Sequence, residues 1–332
     1  MEYRPFGETG INISAIGFGC WEIGGGYGSI EENAFIEAIN RALDIGINSF
    51  DTAEAYGMGA SETSLAKALG SRRKDAVITT KFGVGYPDFP NYRDSSRKRV
   101  IESIEKSLKA LKTDYVDVYL IHWPDRTIPF EEPMRALDDL VKQGKVKAVG
   151  LSNFLPEEIK TCMAVRRVDV VQYCWNMFDR RMQKEIFPYC TENKIGVMAY
   201  GSLAYGMLTG TLSEEKAFEK GDWRARGGRL LNLNLFQHLF GPEHFLNNLR
   251  AVEELKAVAK RYGKSLPQLA LRWTLSNPVI STALVGCRNP SEVDDNAGAI
   301  GWSISDADMK EIDAIFAKHS AVTTPSVWLE TI

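Results

Sequence analysis

Eight short apolar, β-rich runs recur along this chain, separated by stretches of helical length. They read IGFGC at 16–20, NSFD at 48–51, VITTK at 77–81 and VDVYLIH at 116–122. They continue as VKAVGLS at 146–152, VDVVQ at 168–172, IGVMAY at 195–200 and VISTALVG at 279–286. Strands that alternate with helices build a parallel sheet, because each crossover returns the chain to the same end. Eight such units in one chain favour a closed α/β barrel, the (β/α)₈ or TIM barrel, over an open doubly wound sheet.

The helical stretches carry apolar stripes at the spacing of one helix face. Phe35, Ile36, Ile39 and Leu43 form one stripe, and Val100, Ile101, Ile104, Leu108 and Leu111 a second. Met134, Leu137 and Leu140 form a third, and a further helix is expected near 182–192. RPFGETGINIS at 4–14 predicts a small hairpin turning at 8–10. Two helices beyond the barrel set are expected, near 244–262 and 305–319. The long stretch 201–243, rich in Gly, Arg and Leu, is expected to be irregular. A loop of that length inside a compact domain is usually functional. No domain boundary is visible, so residues 1–332 are read as one barrel domain.

A formal net charge of −3 argues against a nucleic-acid or membrane footprint. No apolar run reaches the roughly 18–20 residues of a membrane span. The five cysteines are odd in number and form no CxxC pair. That pattern disfavours a disulfide framework or structural zinc and fits a cytoplasmic protein with reduced thiols. The four histidines, at 122, 238, 244 and 319, show no metal-ligand spacing beyond a loose pair, so no metal is expected.

Barrel enzymes carry their chemistry on the loops that follow the strands. The second barrel strand ends in Asp51, with Tyr56 five residues on; the third ends in Lys81 and the fourth in His122. Each residue alone has a bland reading: a helix cap, a packing ring, a solvated charge, a core histidine. Together, at three neighbouring strand ends, they place a carboxylate, a phenol, an amine and an imidazole at one mouth. Such a set suits carbonyl reduction, where oxygen must take a proton as hydride reaches carbon. A phenol with a pKa of about 10 is a poor donor at neutral pH, and a neighbouring ammonium is expected to lower that value. Asp51 would orient Lys81, while His122 would position the carbonyl oxygen and stabilise charge developing on it.

Three stretches resemble signatures of the aldo-keto reductase superfamily: FDTAEAYG at 50–57, MRALDDLVKQGKVKAVGLSNF at 134–154 and LVGCRNPSEVDDN at 284–296. The likeness is closer to the bacterial and potassium-channel β-subunit branches than to the aldose reductase branch. It implies an NAD(P)(H)-dependent oxidoreductase that moves a hydride between nicotinamide and an aldehyde, ketone or alcohol. Asp51, Tyr56, Lys81 and His122 would be catalytic, with Tyr56 the general acid. Ser152, Asn153 and Gln172 would hold the carboxamide, and Tyr200 would stack on the nicotinamide. Gly201, Ser202, Leu203, Ala204 and Gly206 would cross the pyrophosphate, with Arg224 reaching it from later in the loop. Gly286, Arg288, Glu292, Asp295 and Asn296 would surround the adenosine. Gly19, Cys20, Trp21 and Asp51 would border the cofactor. Trp21, Tyr56, His122 and Trp123 would meet substrate, and Trp175 is a further candidate wall.

Gly17-Phe18-Gly19 is not a Rossmann fingerprint, because position 22 is Glu22 rather than glycine. Thr211 stands where many relatives have lysine, and Glu292 where they have Gln or Arg. Glu292 favours a 2′-hydroxyl, and Arg288 favours a 2′-phosphate. NADP(H) is the expected preference on Arg288, with NAD(H) possible. Two alternatives stay open: an NADP(H)-binding redox-sensing subunit with little turnover, and a Schiff-base lyase using Lys81.

Overall fold

The computed structural model describes residues 1–24, 27, 30–85, 93–215, 218, 222–229 and 234–325. Two strands, β1 (Tyr3–Pro5) and β2 (Asn12–Ser14), pair antiparallel as the expected hairpin. Eight parallel strands follow: β3 (Ile16–Gly19), β4 (Ser49–Asp51), β5 (Val77–Phe82), β6 (Val116–Ile121), β7 (Val146–Ser152), β8 (Val170–Cys174), β9 (Gly196–Tyr200) and β10 (Ile280–Gly286). They close into a barrel in chain order, with β10 returning to β3. The helices are α1 (Glu32–Asp44), α2 (Ala60–Leu69), α3 (Arg97–Leu111), α4 (Glu131–Lys142), α5 (Pro156–Val165), α6 (Ile186–Glu192), α7 (Gln237–Phe240), α8 (Pro242–Arg261), α9 (Leu266–Ser276), α10 (Pro290–Ala297) and α11 (Asp306–Lys318). The two helices expected beyond the barrel set are α8 and α11, which pack together and share ion pairs such as Lys318–Glu254 at 2.6 Å.

Strand alternation divides the core in two. Outward residues such as Phe50, Ile78, Tyr119, Val149, Val171 and Val197 pack under the helices. Inward residues Val118, Leu120, Ala148, Val170, Met198 and Leu284 fill the barrel together with Phe6 and Ile13 of the hairpin. The hairpin is therefore the floor of the barrel. Gly17 supplies room in this narrow interior: a Cβ there would stand 2.7 Å from Leu284 and 2.8 Å from Ser49 and Thr282.

The structure amends some sequence expectations. Ile101, placed on the buried stripe of α3, is 39% exposed and lies beside that stripe. The 201–243 stretch is not irregular throughout. It contains helical turns at Ala204–Thr209 and Trp223–Arg226, and α7. Short turns over glycines and arginines carry no helical periodicity to read. Residues 216, 217, 219–221 and 230–233 of this stretch lie outside the described residues. Among the described residues, no helix is long and apolar enough to cross a membrane. All five cysteines are free and buried.

Candidate active site

The inward parity that fills the barrel with methyl groups changes character at the top. The inward positions at or near the strand ends are Asp51 on β4, Lys81 on β5, Ser152 on β7, Gln172 on β8 and Tyr200 on β9, with His122 just beyond β6. Side chains at these positions converge because the strands are parallel and in register.

Lys81 is fully buried and its ammonium has three partners. Nζ donates to Asp51 Oδ1 at 2.5 Å, to the Thr52 carbonyl at 2.9 Å and to Tyr56 Oη at 3.1 Å. Gln172 Nε2 donates to the other Asp51 oxygen at 2.6 Å. The Tyr56 and His122 rings meet edge to face, 5.7 Å apart. All four residues of the predicted set are thus in one cluster.

Electrostatics there differ from the sequence expectation. Burial, followed by the Asp51 charge, holds the Tyr56 phenol well above its ordinary value rather than below it. The Lys81 contact favours the phenolate but does not overturn that push. Tyr56 therefore holds its proton across the neutral range. Burial also raises Asp51 and lowers Lys81, with each partner opposing the effect on the other. His122 is pushed well below its usual value by burial and then by the Lys81 charge, so its imidazole is neutral at neutral pH. Among the described residues its Nδ1 is buried without a partner.

A cleft of about 1070 Å³ opens above this cluster. Ser152, Asn153, Gln172 and Tyr200 line it, tied into one network. Tyr200 Oη donates to Asn153 Oδ1 at 2.9 Å, and Asn153 Nδ2 donates to Ser152 Oγ at 2.9 Å. Asn153 holds φ at 66°, a left-handed conformation that asparagine tolerates better than most residues. Beyond β9 the chain is strained: Ala204 and Tyr205 are both left-handed, at φ 47° and 55°. Strain of this kind collects at ligand sites. Arg224 reaches this turn, donating from Nη1 to the Tyr205 carbonyl at 3.1 Å while Asp222 holds its Nε at 3.0 Å.

Gly286, Arg288, Glu292, Asp295 and Asn296 line the far end of the cleft. Asn289 caps α10 there, accepting from the Glu292 amide at 3.1 Å. Glu292 accepts from the Arg288 backbone amide at 2.8 Å, and Asp295 from Gln268 Nε2 at 2.9 Å.

Three residues expected at the cleft, Cys20 beside the ribose, Ala204 across the pyrophosphate and Trp175 as a wall, do not line it. Cys20 is fully buried in the main hydrophobic core, and burial raises its thiol well above the usual range. Ala204 is fully buried. Trp175 stacks on Trp273, with ring centroids 5.0 Å apart, and belongs to the outer core. Trp21 and Trp123 do line the cleft. The sequence reading missed Tyr27, Tyr205 and Trp223, which surround Trp21 at centroid distances of 5.1, 6.2 and 6.5 Å. It also missed Glu22, whose carboxyl lies against Gly286. These sit in loops, where no periodicity marks them.

The cleft chemistry fits a nicotinamide dinucleotide. The Ser152–Asn153–Gln172 surface presents donors and acceptors suited to an amide. The strained glycine-bearing turn with Arg224 suits phosphate oxygens, and barrels commonly bind phosphate after their last two strands.

Comparison with known proteins agrees. The aldo/keto reductase family pattern matches residues 15–317. Aldo-keto reductase YhdN of Bacillus subtilis is 39% identical, over 95% of this chain and 93% of its own. The NADH-specific methylglyoxal reductase of Escherichia coli is 31% identical, over 93% of this chain and 96% of its own. A probable voltage-gated potassium channel subunit beta of Arabidopsis thaliana is 34% identical, over 90% and 91%. The structure of the glycerol dehydrogenase AKR11B4 from Gluconobacter oxydans superposes with a TM-score of 0.84 at 32% identity, covering 98% of both chains. The chain therefore belongs to the aldo/keto reductase family of nicotinamide-dependent oxidoreductases.

Proposed function

We propose that this chain, as one barrel domain over residues 1–332, reduces small polar aldehydes or ketones or oxidises the matching alcohols, with Tyr56 as general acid. The observation that carries this reading is the buried Asp51–Lys81–Tyr56 chain, closed by hydrogen bonds of 2.5 and 3.1 Å. Nicotinamide, when bound, supplies or takes the hydride. Everything else falls to side chains of the protein. Tyr56 keeps its proton until the substrate oxygen gains charge, and then donates it. Lys81 stabilises the phenolate left behind, and Asp51 keeps the lysine charged and aimed. Neutral His122 donates from its one N–H and fixes the carbonyl oxygen. Ser152, Asn153 and Gln172 would hold the carboxamide, and Tyr200 would pack on the ring. The 201–206 turn and Arg224 would hold the diphosphate. Gly19, Trp21 and Trp123 would border substrate and ribose.

Two names among the relatives, a methylglyoxal reductase and a glycerol dehydrogenase, suggest short oxygenated carbonyls and polyols as first substrates. A panel of such compounds, assayed with NADH, NADPH and both oxidised forms, tests the reading. Absence of turnover across the panel, with cofactor bound, would favour the redox-sensing reading instead. The Schiff-base alternative is weaker, because all three Lys81 donors are engaged.

Arg288 would contact the 2′-phosphate when NADP(H) is the bound cofactor. Its side chain is exposed at the cleft end, free to meet a 2′-phosphate. Arg288→Ala should weaken NADPH binding by about 1.5–3 kcal/mol and NADH binding by much less. Equal losses in the two dissociation constants would remove Arg288 from this role.

A further inference from the structure

Glu22 follows β3 and lines the same cleft. Its carboxyl occupies the space that a side chain at Gly286 would fill, since a Cβ built there would fall inside it. Residue 286 is a glycine and Glu22 takes the place. Among the described residues, Oε2 is sealed from solvent and has no hydrogen-bond partner. A buried carboxylate oxygen without a donor is costly and calls for something to complete it. Arg288 and Glu292 are the charged neighbours that act on it. The cleft end thus holds Glu22, Glu292 and Asp295 against Arg288. Glu292 and Asp295 accept hydrogen bonds from the protein, whereas Glu22 Oε2 accepts none among the described residues.

We infer that the Glu22 carboxyl, turned from its place over Gly286 toward the cleft when a cofactor seats, accepts a hydrogen bond from a ribose hydroxyl and repels a 2′-phosphate, so that the chain selects NAD(H) over NADP(H). This rests on the reading of the cleft as a nicotinamide dinucleotide site, and it reverses the preference that Arg288 alone suggests. Hydroxyls donate to a carboxylate, and a phosphate dianion cannot; the same logic places an acidic residue on the 2′-hydroxyl in other NAD-binding folds.

The selection carries a pH signature. Burial raises the Glu22 carboxyl to about 7. The other titratable groups facing it are Cys20, Tyr27, Tyr56 and Cys287, and burial pushes each of them up, so they stay neutral near that pH. A ligand that donates hydrogen bonds prefers the ionised form, so NADH affinity rises with pH through about 7. A 2′-phosphate prefers the protonated form, so NADPH affinity falls over the same window.

Titration of tryptophan fluorescence with NADH and with NADPH, between pH 5.5 and 8.5, reads both dissociation constants without turnover. The parent should bind NADH about tenfold more tightly at the alkaline end, with the ratio shrinking on acidification. Glu22→Gln should strengthen NADPH and weaken NADH, and should flatten the part of the pH dependence that the 2′-phosphate's own ionisation does not explain. Gly286→Ala, which displaces the carboxyl while keeping its charge, should shift the ratio the same way. A parent that prefers NADPH, or variants that change both affinities equally, would overturn the inference and leave the dinucleotide site standing. A parent that binds neither cofactor would overturn both.

Discussion

Tyr56→Phe is expected to lower kcat for aldehyde reduction by about 10²- to 10⁴-fold while leaving the fold and cofactor affinity in place. The reason is local. The Tyr56 hydroxyl makes a 3.1 Å contact with Lys81, which keeps its two stronger partners when that hydroxyl is removed. The ring remains to pack on His122 and Trp21. Only the proton is lost. Thermal melting and cofactor titration should match the parent, and the loss should appear in kcat with saturating aldehyde. Because burial holds the phenol above its ordinary value, the parent should keep a protonated donor throughout the neutral range. Its reduction rate should then decline only under alkaline conditions. Continued reduction of an activated aldehyde at the parent rate by Tyr56→Phe would mean that another group delivers the proton.

The barrel and its central cluster were legible for one physical reason. Parallel strands in register carry alternating faces, so chemistry at strand ends can be counted from the sequence. Asp51, Lys81, Ser152 and Gln172 all lie on inward rows at or near the strand ends, and the structure gathers them within hydrogen-bond reach of one another or of their neighbours. Loops obey no such count. Glu22 meets Gly286 across 264 positions of chain, where the carboxyl of one residue fills the missing side chain of the other. Nothing local in either segment announces that. Trp175 failed as a wall for the opposite reason. It lies just past β8, where the chain turns back under the helices and stacks the ring on Trp273. The direction of the Tyr56 shift was also hidden. A sequence shows that a lysine is near, but the desolvation that outweighs it depends on how deeply the surrounding structure buries the phenol.

The second large effect concerns stability as well as chemistry. Lys81→Met should destabilise the protein by about 3–5 kcal/mol near pH 8, because it leaves Asp51 buried and ionised with its cation removed. Gln172 still donates to one carboxylate oxygen at 2.6 Å, which softens the loss without supplying charge. Burial already raises the Asp51 carboxyl, and removing Lys81 takes away the chief opposing influence. An acid whose folded value is raised is penalised while ionised, above that value, and is relieved as the pH falls through it. The deficit of Lys81→Met should therefore shrink on acidification. Adding Asp51→Asn removes the stranded charge and should restore most of the melting temperature at pH 8. It should not restore turnover, since the phenolate of Tyr56 would still lack its ammonium. Melting curves at pH 8 and pH 5.5, with kcat measured on the same preparations, separate the two roles. A Lys81→Met protein that melts like the parent at pH 8 would mean that the buried pair contributes no net stability. A double variant with parent turnover would show that Lys81 does not assist Tyr56.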